Sequence, residues 1–284
     1  MQFLFLRDGG CKKIYIFQLL LSMLIEILLL CISTKYLKKK NKLLKQNYKG
    51  KKIPCCIGIV LGTVLAFFTF LEYVNVKKTN YLVVFLSFLS ISIVGFIDDI
   101  FGDDKSKGFR GHFKRLLKDS EVSTGLIKMT LIPIVLLIGS VYITQDIFRS
   151  LLYTVFGALC INLFNLFDLR PGRCIKALFI FLALLGIFIS WVPFYISLLI
   201  LLIPVFIGDI KEIYMLGDAG SNVIGYIFFL IVSDIYSVNT NSVLVWVTLF
   251  IVTALNFASE YISFSQVIEK NKMLKYIDEL GRKN

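Results

Sequence analysis

The chain has 284 residues, of which 57% are hydrophobic and 18% charged, with a formal net charge of +12 and a mean hydropathy of +0.79. A water-soluble domain of that composition would expose too much apolar surface, so the expected solvent is the lipid bilayer. The surplus lysines fall in short loops between apolar runs, where they signal topology, so no nucleic-acid partner is expected; the runs are also continuous, unlike the alternating strands of an outer-membrane barrel.

Nine spans are predicted in chain order, at 14–35, 53–71, 81–97, 123–143, 148–167, 174–190, 192–208, 221–237 and 243–261. The fold class expected is therefore an all-α, polytopic membrane bundle of about nine helices, within a range of eight to ten. Residues 1–284 read as a single transmembrane domain, with Pro193 marking a break. The first span lacks a small-residue cleavage site and is read as retained. Of Cys11, Cys31, Cys55, Cys56, Cys160 and Cys174, most lie in or beside apolar segments, without metal-ligand spacing. They are expected to be buried small hydrophobes, with no disulfide framework.

Residues 35–52 contain nine lysines, which assigns that loop to the cytoplasm. Alternation then places the N-terminus outside and 98–122, 168–173, 209–220 and the tail after 262 inside. Every cluster of polar, chemistry-bearing residues falls on that inner face. Carboxylates at a membrane boundary are costly and usually functional.

The first cluster is "GFIDDIFGDD" at 95–104. Asp98 and Asp99 end the third span, where the helix dipole disfavours acids and lysine would be the cheap stop. Neighbouring helical residues point ~100° apart, so the two can take different tasks. Asp103 and Asp104 read as solvated turn residues. His112, flanked by Arg110, Lys114 and Arg115 in "RGHFKRLL", fits either an amphipathic piece at an anionic surface or a topology signal. A single histidine excludes a histidine-based zinc cage.

Asn162, Asn165 and Asp168 recur every third residue at the end of the fifth span, forming one helical stripe. Such a stripe can bind a metal, a ribose or a sugar, or form an interhelical hydrogen-bond seam. Arg170 and Arg173 follow, and their guanidinium groups suit phosphate. In "MLGDAGSN", Gly217 permits close backbone approach, Ser221 and Asn222 can cap a helix, and Asp218 is left for other work. Asp209 in "FIGD" ranks lower. The oxygen-rich donor set favours magnesium, with manganese second.

These clusters, in this order, resemble the polyprenyl-phosphate N-acetylhexosamine-1-phosphate transferases, relatives of phospho-N-acetylmuramoyl-pentapeptide transferase. "GFIDDIFG" looks like their double-aspartate motif, the Asn162–Asn165–Asp168 stripe like their asparagine and aspartate motif, and "LGDAGS" like their "GDxGS". "NYKGKKIPCCIGI" at 47–59 resembles their first cytoplasmic loop. The resemblance implies transfer of phospho-N-acetylhexosamine from a UDP-sugar to undecaprenyl or a similar polyprenyl phosphate, with release of UMP. It implies a bacterial plasma-membrane enzyme of cell-wall or surface-polysaccharide synthesis, with a homodimer as an assembly to test. It implies Asp98, Asp99 and Asp168 as catalytic, and Asp218 and Asp99 as ligands of Mg²⁺. Asn162, Asn165, Arg173, Lys114, His112, Gly217 and Ser221 would bind substrate. Two departures stand out: Pro171 replaces a second aspartate of the stripe motif, and "YISFSQVIEKNKMLKYIDELGR" replaces a histidine-rich loop. A non-catalytic relative with an assembly or regulatory role remains an alternative, as does a magnesium-dependent membrane transferase of prenyltransferase type.

Overall fold

A computed structural model describes residues 12–40, 43–102, 124–186, 192–238 and 243–282. The described chain is helical apart from one short hairpin. In chain order the elements are α1 (Lys12–Leu37), β1 (Leu44–Gln46), β2 (Lys52–Pro54), α2 (Gly58–Val76), α3 (Thr79–Phe101), α4 (Thr124–Thr144) and α5 (Ile147–Phe167). They continue as α6 (Arg173–Leu185), α7 (Pro193–Ile200), α8 (Ile203–Ile210), α9 (Gly217–Val238), α10 (Val243–Ser259), α11 (Phe264–Lys270) and α12 (Lys272–Glu279).

Among the described residues, six segments are long and apolar enough to cross a membrane: α1 to α5, and the stretch Pro193–Ile210 formed by α7 and α8. The count becomes seven if α10 and α11, bent by 96° at residues 260–263, form one broken span. This is a multi-pass membrane protein with an all-α bundle. The count covers the described residues and does not reach the nine spans expected. Helix α6 is described over 13 residues, a rise of about 20 Å, with 187–191 outside the described residues. Helix α9 has 22 residues and carries Asp218, Asn222 and Asp234, and its side chains are described only as far as Asp234.

The polar dilution of α9 is tolerable because lipid does not surround it. Every residue from 219 to 234 is buried, and α9 packs against α5, α3 and α2. It is the central helix, and the polar groups it carries face protein. By contrast α1 presents Ile16, Phe17, Leu20, Leu24 and Leu28 outward, as a lipid-facing helix should. Close packing around α9 requires small residues at the crossings. A Cβ on Gly95 of α3 would stand 2.6 Å from the Ala219 Cα, so glycine here sets the end of α3 directly against the start of α9.

The hairpin was not expected from the sequence, which placed the second span from 53. Leu44 pairs with Pro54 in antiparallel register. Pro54 and a left-handed Cys56, with φ of 70°, delay the helix until Gly58. The strand end is stitched to the segment before α9. The Met215 N–H donates to the Pro54 carbonyl at 2.7 Å, and the Gly58 N–H to the Leu216 carbonyl at 2.9 Å. Pro193 opens α7, as the predicted break suggested.

Candidate active site

One end of the bundle gathers side chains from four helices. Asp98 lies in the last turn of α3, Lys128 in the first turns of α4, Asn165 near the end of α5, and Asp218 in the first turn of α9. Lys128 Nζ stands 2.5 Å from Asp218 Oδ2 and 3.9 Å from Asp98 Oδ2, so one ammonium bridges two carboxylates. The Asn165 amide satisfies its neighbours in one orientation: its nitrogen donates to Asp218 Oδ1 and Ser221 Oγ at 3.0 Å each, and its oxygen accepts from Lys128 Nζ at 3.0 Å. The Asp98 and Asp218 side chains keep 16% and 28% of their surface exposed, so solutes can reach both.

Asp99 does something different. Its Oδ1 accepts the Asp218 N–H at 3.0 Å and its Oδ2 accepts the Ala219 N–H at 3.1 Å. A carboxylate on the first free N–H groups of a helix is the favoured charge for that end. Asp99 is 6% exposed and locks α3 to α9. Gly217 makes the contact possible: its φ is 72°, and a Cβ there would meet Asp99 Oδ2 at 2.6 Å. Behind Asp99 lie the two adjacent thiols, with Cys55 Sγ donating to Asp99 Oδ1 at 3.7 Å and Cys56 Sγ 3.5 Å from Cys55 Sγ. The contact with Cys56, together with burial, pushes the Cys55 thiol up.

Asp168 caps the end of α5 and receives the Gly217 N–H. Burial, then the negative charges of Asp209, Asp218 and Asp99, push its carboxyl well above the usual carboxylate range. Asp209 is buried in α8 and accepts the Gly172 N–H at 2.7 Å, with Gly172 in the left-handed region at φ 73°. It fixes the turn after α5 rather than facing the Lys128 cluster.

Asn162, on the same stripe as Asn165, donates to Asn256 Oδ1 of α10 at 2.7 Å and so belongs to an α5–α10 seam. Arg173 is 4% exposed and forks onto Asp278 of α12, through Nε at 2.8 Å and Nη2 at 2.9 Å. His112 and Lys114, with Asp103, Asp104 and Cys11, lie outside the described residues. The structure therefore unites Asp98, Asp99, Asn165, Asp168, Asp218, Gly217 and Ser221, while Asn162 and Arg173 face other partners.

Two residues escaped the sequence reading. Lys128 had a usable signal: it is the one charged residue of an otherwise apolar span, and such a charge is costly without a partner. Asp278 had none, because it pairs across 105 residues with a buried arginine. Arg282 closes the same carboxylate from the other side, at 2.7 and 3.0 Å, and also holds the Pro171 carbonyl at 2.8 Å. Beside this latch, α5, α6, α10, α11 and α12 line an open-sided, largely apolar cavity of about 270 Å³, with Phe167, Phe181, Phe264, Val267 and Ile277 among its walls.

No protein-family model matches the chain, and no curated protein matches it in sequence.

Proposed function

We propose that the protein transfers a phospho-N-acetylhexosamine from a UDP-sugar to a polyprenyl phosphate such as undecaprenyl phosphate, releasing UMP for cell-wall or surface-polysaccharide synthesis. The observation that carries the reading is the meeting of Asp98, Asp218, Asn165 and Lys128, from four helices, at one end of a membrane bundle. An acceptor whose hydrocarbon stays in the bilayer must present its phosphate at such a boundary. The apolar cavity beside Arg173 offers added space for a lipid chain. In this reading α6 and α9 complete nine spans, and the site faces the cytoplasm of a bacterial plasma membrane.

The donor set fits a hard divalent cation, because carboxylates outnumber the one ammonium among them. Asp218 would hold Mg²⁺, or Mn²⁺ in its place; Asp99, the second ligand the resemblance implies, has both oxygens on the N–H groups that start α9. Bound there, the ion supplies charge neutralisation for the diphosphate. Asp98 is the more accessible carboxylate of the adjacent pair, whereas both oxygens of Asp99 already accept backbone N–H groups. Asp98 therefore takes the proton from the lipid phosphate. The freed phosphate oxygen attacks the sugar-bound phosphorus of the UDP-sugar. The bond to the uridine-bearing phosphate breaks, and UMP departs with that oxygen. Lys128 steadies the negative charge that accumulates, and Asn165 keeps Asp218 oriented.

The test is UMP release by purified protein with undecaprenyl phosphate, Mg²⁺ and, in turn, UDP-GlcNAc, UDP-GalNAc and UDP-MurNAc-pentapeptide. Release with one donor, abolished in Asp98→Asn and Asp218→Asn, supports the reading. Release that survives both substitutions removes these residues from the chemistry, and no release with any donor removes the reading.

A further inference from the structure

Cys55, Cys56 and Asp99 form a cluster that the transfer chemistry does not use. Their ligand atoms all lie within 4.8 Å of one another, and all three residues are buried. Tetrahedral zinc, with Zn–S near 2.3 Å and Zn–O near 2.0 Å, requires S···S edges of about 3.8 Å and S···O edges of about 3.5 Å. Here the two sulfurs are 3.5 Å apart, and Cys55 Sγ is 3.7 Å from Asp99 Oδ1. The cluster already has nearly the dimensions of three corners of a zinc tetrahedron.

Two further observations point the same way. Cys56 is held at φ 70°, a conformation unfavourable for a residue with a side chain, and this strained turn lies where the two adjacent thiols come together. Strain of this kind concentrates at functional positions. The charges also balance: two thiolates and the Asp99 carboxylate are matched by a divalent cation and Lys45, whose ammonium interacts electrostatically with Cys55, Cys56 and Asp99. Soft sulfur ligands select zinc or cadmium over magnesium, so this site and the oxygen-rich site at Asp218 separate their metals by chemistry.

We propose that Cys55 Sγ, Cys56 Sγ and the Asp99 carboxylate bind one thiophilic divalent cation, Zn²⁺ or Cd²⁺, with the fourth position open to water. Binding forms two metal–sulfur bonds and one metal–oxygen bond and sends the two thiol protons to solvent. The cation draws on the same carboxylate that anchors the start of α9, and it thereby disturbs the placement of Asp218. Inhibition of the transferase by zinc is the functional consequence. That consequence rests on the function proposed above, whereas the binding itself does not.

Cadmium titration of the reduced, detergent-solubilised protein provides a direct readout through the ultraviolet thiolate-to-cadmium charge-transfer band. The band should saturate at one cadmium per chain. Cys55→Ser and Cys56→Ser should each weaken binding by about 100-fold or more, beyond the 10–100-fold typical of losing an outer-shell group. Cys160→Ser and Cys174→Ser should leave the band intact, and thermal unfolding of each variant shows that it is folded. A band unchanged in folded Cys55→Ser and Cys56→Ser, or no band in the folded wild-type protein, overturns the proposal. If cadmium binds as described while no UDP-sugar releases UMP, the metal site stands and the transferase reading fails.

Discussion

The carboxylate of Asp99 caps the helix on which Asp218 stands, accepting the Asp218 N–H at 3.0 Å and the Ala219 N–H at 3.1 Å. Two acids that look equivalent in "GFIDDIFG" therefore have separable tasks. Asp99 holds α3 to α9, while Asp98 faces Lys128 and solvent. Asp99→Ala leaves two buried helix-start N–H groups without an acceptor and should cost about 2 kcal/mol. Asp99→Asn keeps an acceptor but loses the charge, and should cost about 1 kcal/mol. Asp98→Asn should change stability by less than about 0.5 kcal/mol yet abolish UMP release. Thermal unfolding beside the activity assay separates the two. Equal stability losses at 98 and 99 would contradict this division.

Lys128 is the counter-charge for both Asp98 and Asp218, and it also donates to Asn165. Lys128→Met keeps the length of the side chain and removes the charge. The carboxylates then repel one another without an ammonium between them. UMP release should fall by about 100-fold or more, as when one preorganised donor is removed from a reaction site. Lys128→Arg should retain part of the rate, because it keeps the charge but not the compact ammonium. Wild-type rates in Lys128→Met would remove this residue from the site.

Much of this site was legible because its residues come in local motifs. Asp98–Asp99, the Asn165–Asp168 stripe and Gly217–Asp218–Ser221 each show a polar group in apolar surroundings, and burial of a polar group demands a partner. The sequence also carried the bundle, since long apolar runs in lipid can only be helices. It did not distinguish Asn162 from Asn165, because helical spacing puts both on one stripe while their partners, Asn256 and Ser221, lie on different helices. Arg173 read as a phosphate ligand for the same reason: its own surroundings are basic, and its actual partner Asp278 lies on the distant α12. The hairpin at 44–54 and the meeting of Cys55 with Asp99 are tertiary facts, fixed by backbone bonds to residues 215 and 216. Six spans, or seven with the bent α10–α11 pair, stand out among the described residues, and α6 and α9 fall outside that count because neither is described over its full length.

Gly217 and Gly50 both have left-handed backbones, with φ of 72° and 76°. A methyl group on Gly50 meets nothing within 4 Å, while one on Gly217 meets the Asp99 carboxylate at 2.6 to 2.9 Å. Gly50→Ala should therefore cost only the local backbone strain, about 1 kcal/mol. Gly217→Ala adds displacement of Asp99 and loss of its two helix-start contacts, and should cost about 3 kcal/mol while suppressing UMP release. Unfolding curves for the two variants measured side by side give the difference. Identical costs would mean that Asp99 can shift without loss.

Asp278 is gripped by two guanidinium groups, those of Arg173 and Arg282. Burial raises its carboxyl, but the hydrogen bonds from Arg173 and then Arg282 outweigh that and lower it from 3.8 to about 2. A carboxylate depressed on folding adds stability that is complete above its unfolded value of 3.8 and is lost as the pH falls through about 2. The amount is on the order of 2 kcal/mol, by linkage over that interval. Docking of α12 onto the turn after α5 should therefore be independent of pH near neutrality and loosen between pH 4 and 2, roughly the window set by those two values. Hydrogen exchange in residues 272–282, followed against the amides of α9 as an internal reference, reports this directly. Asp278→Asn should show the loosened tail already at pH 7, because two buried guanidinium groups then lack their counter-charge. A tail that exchanges alike in Asp278→Asn and the wild-type protein would show that the Arg173–Asp278–Arg282 cluster does not hold it.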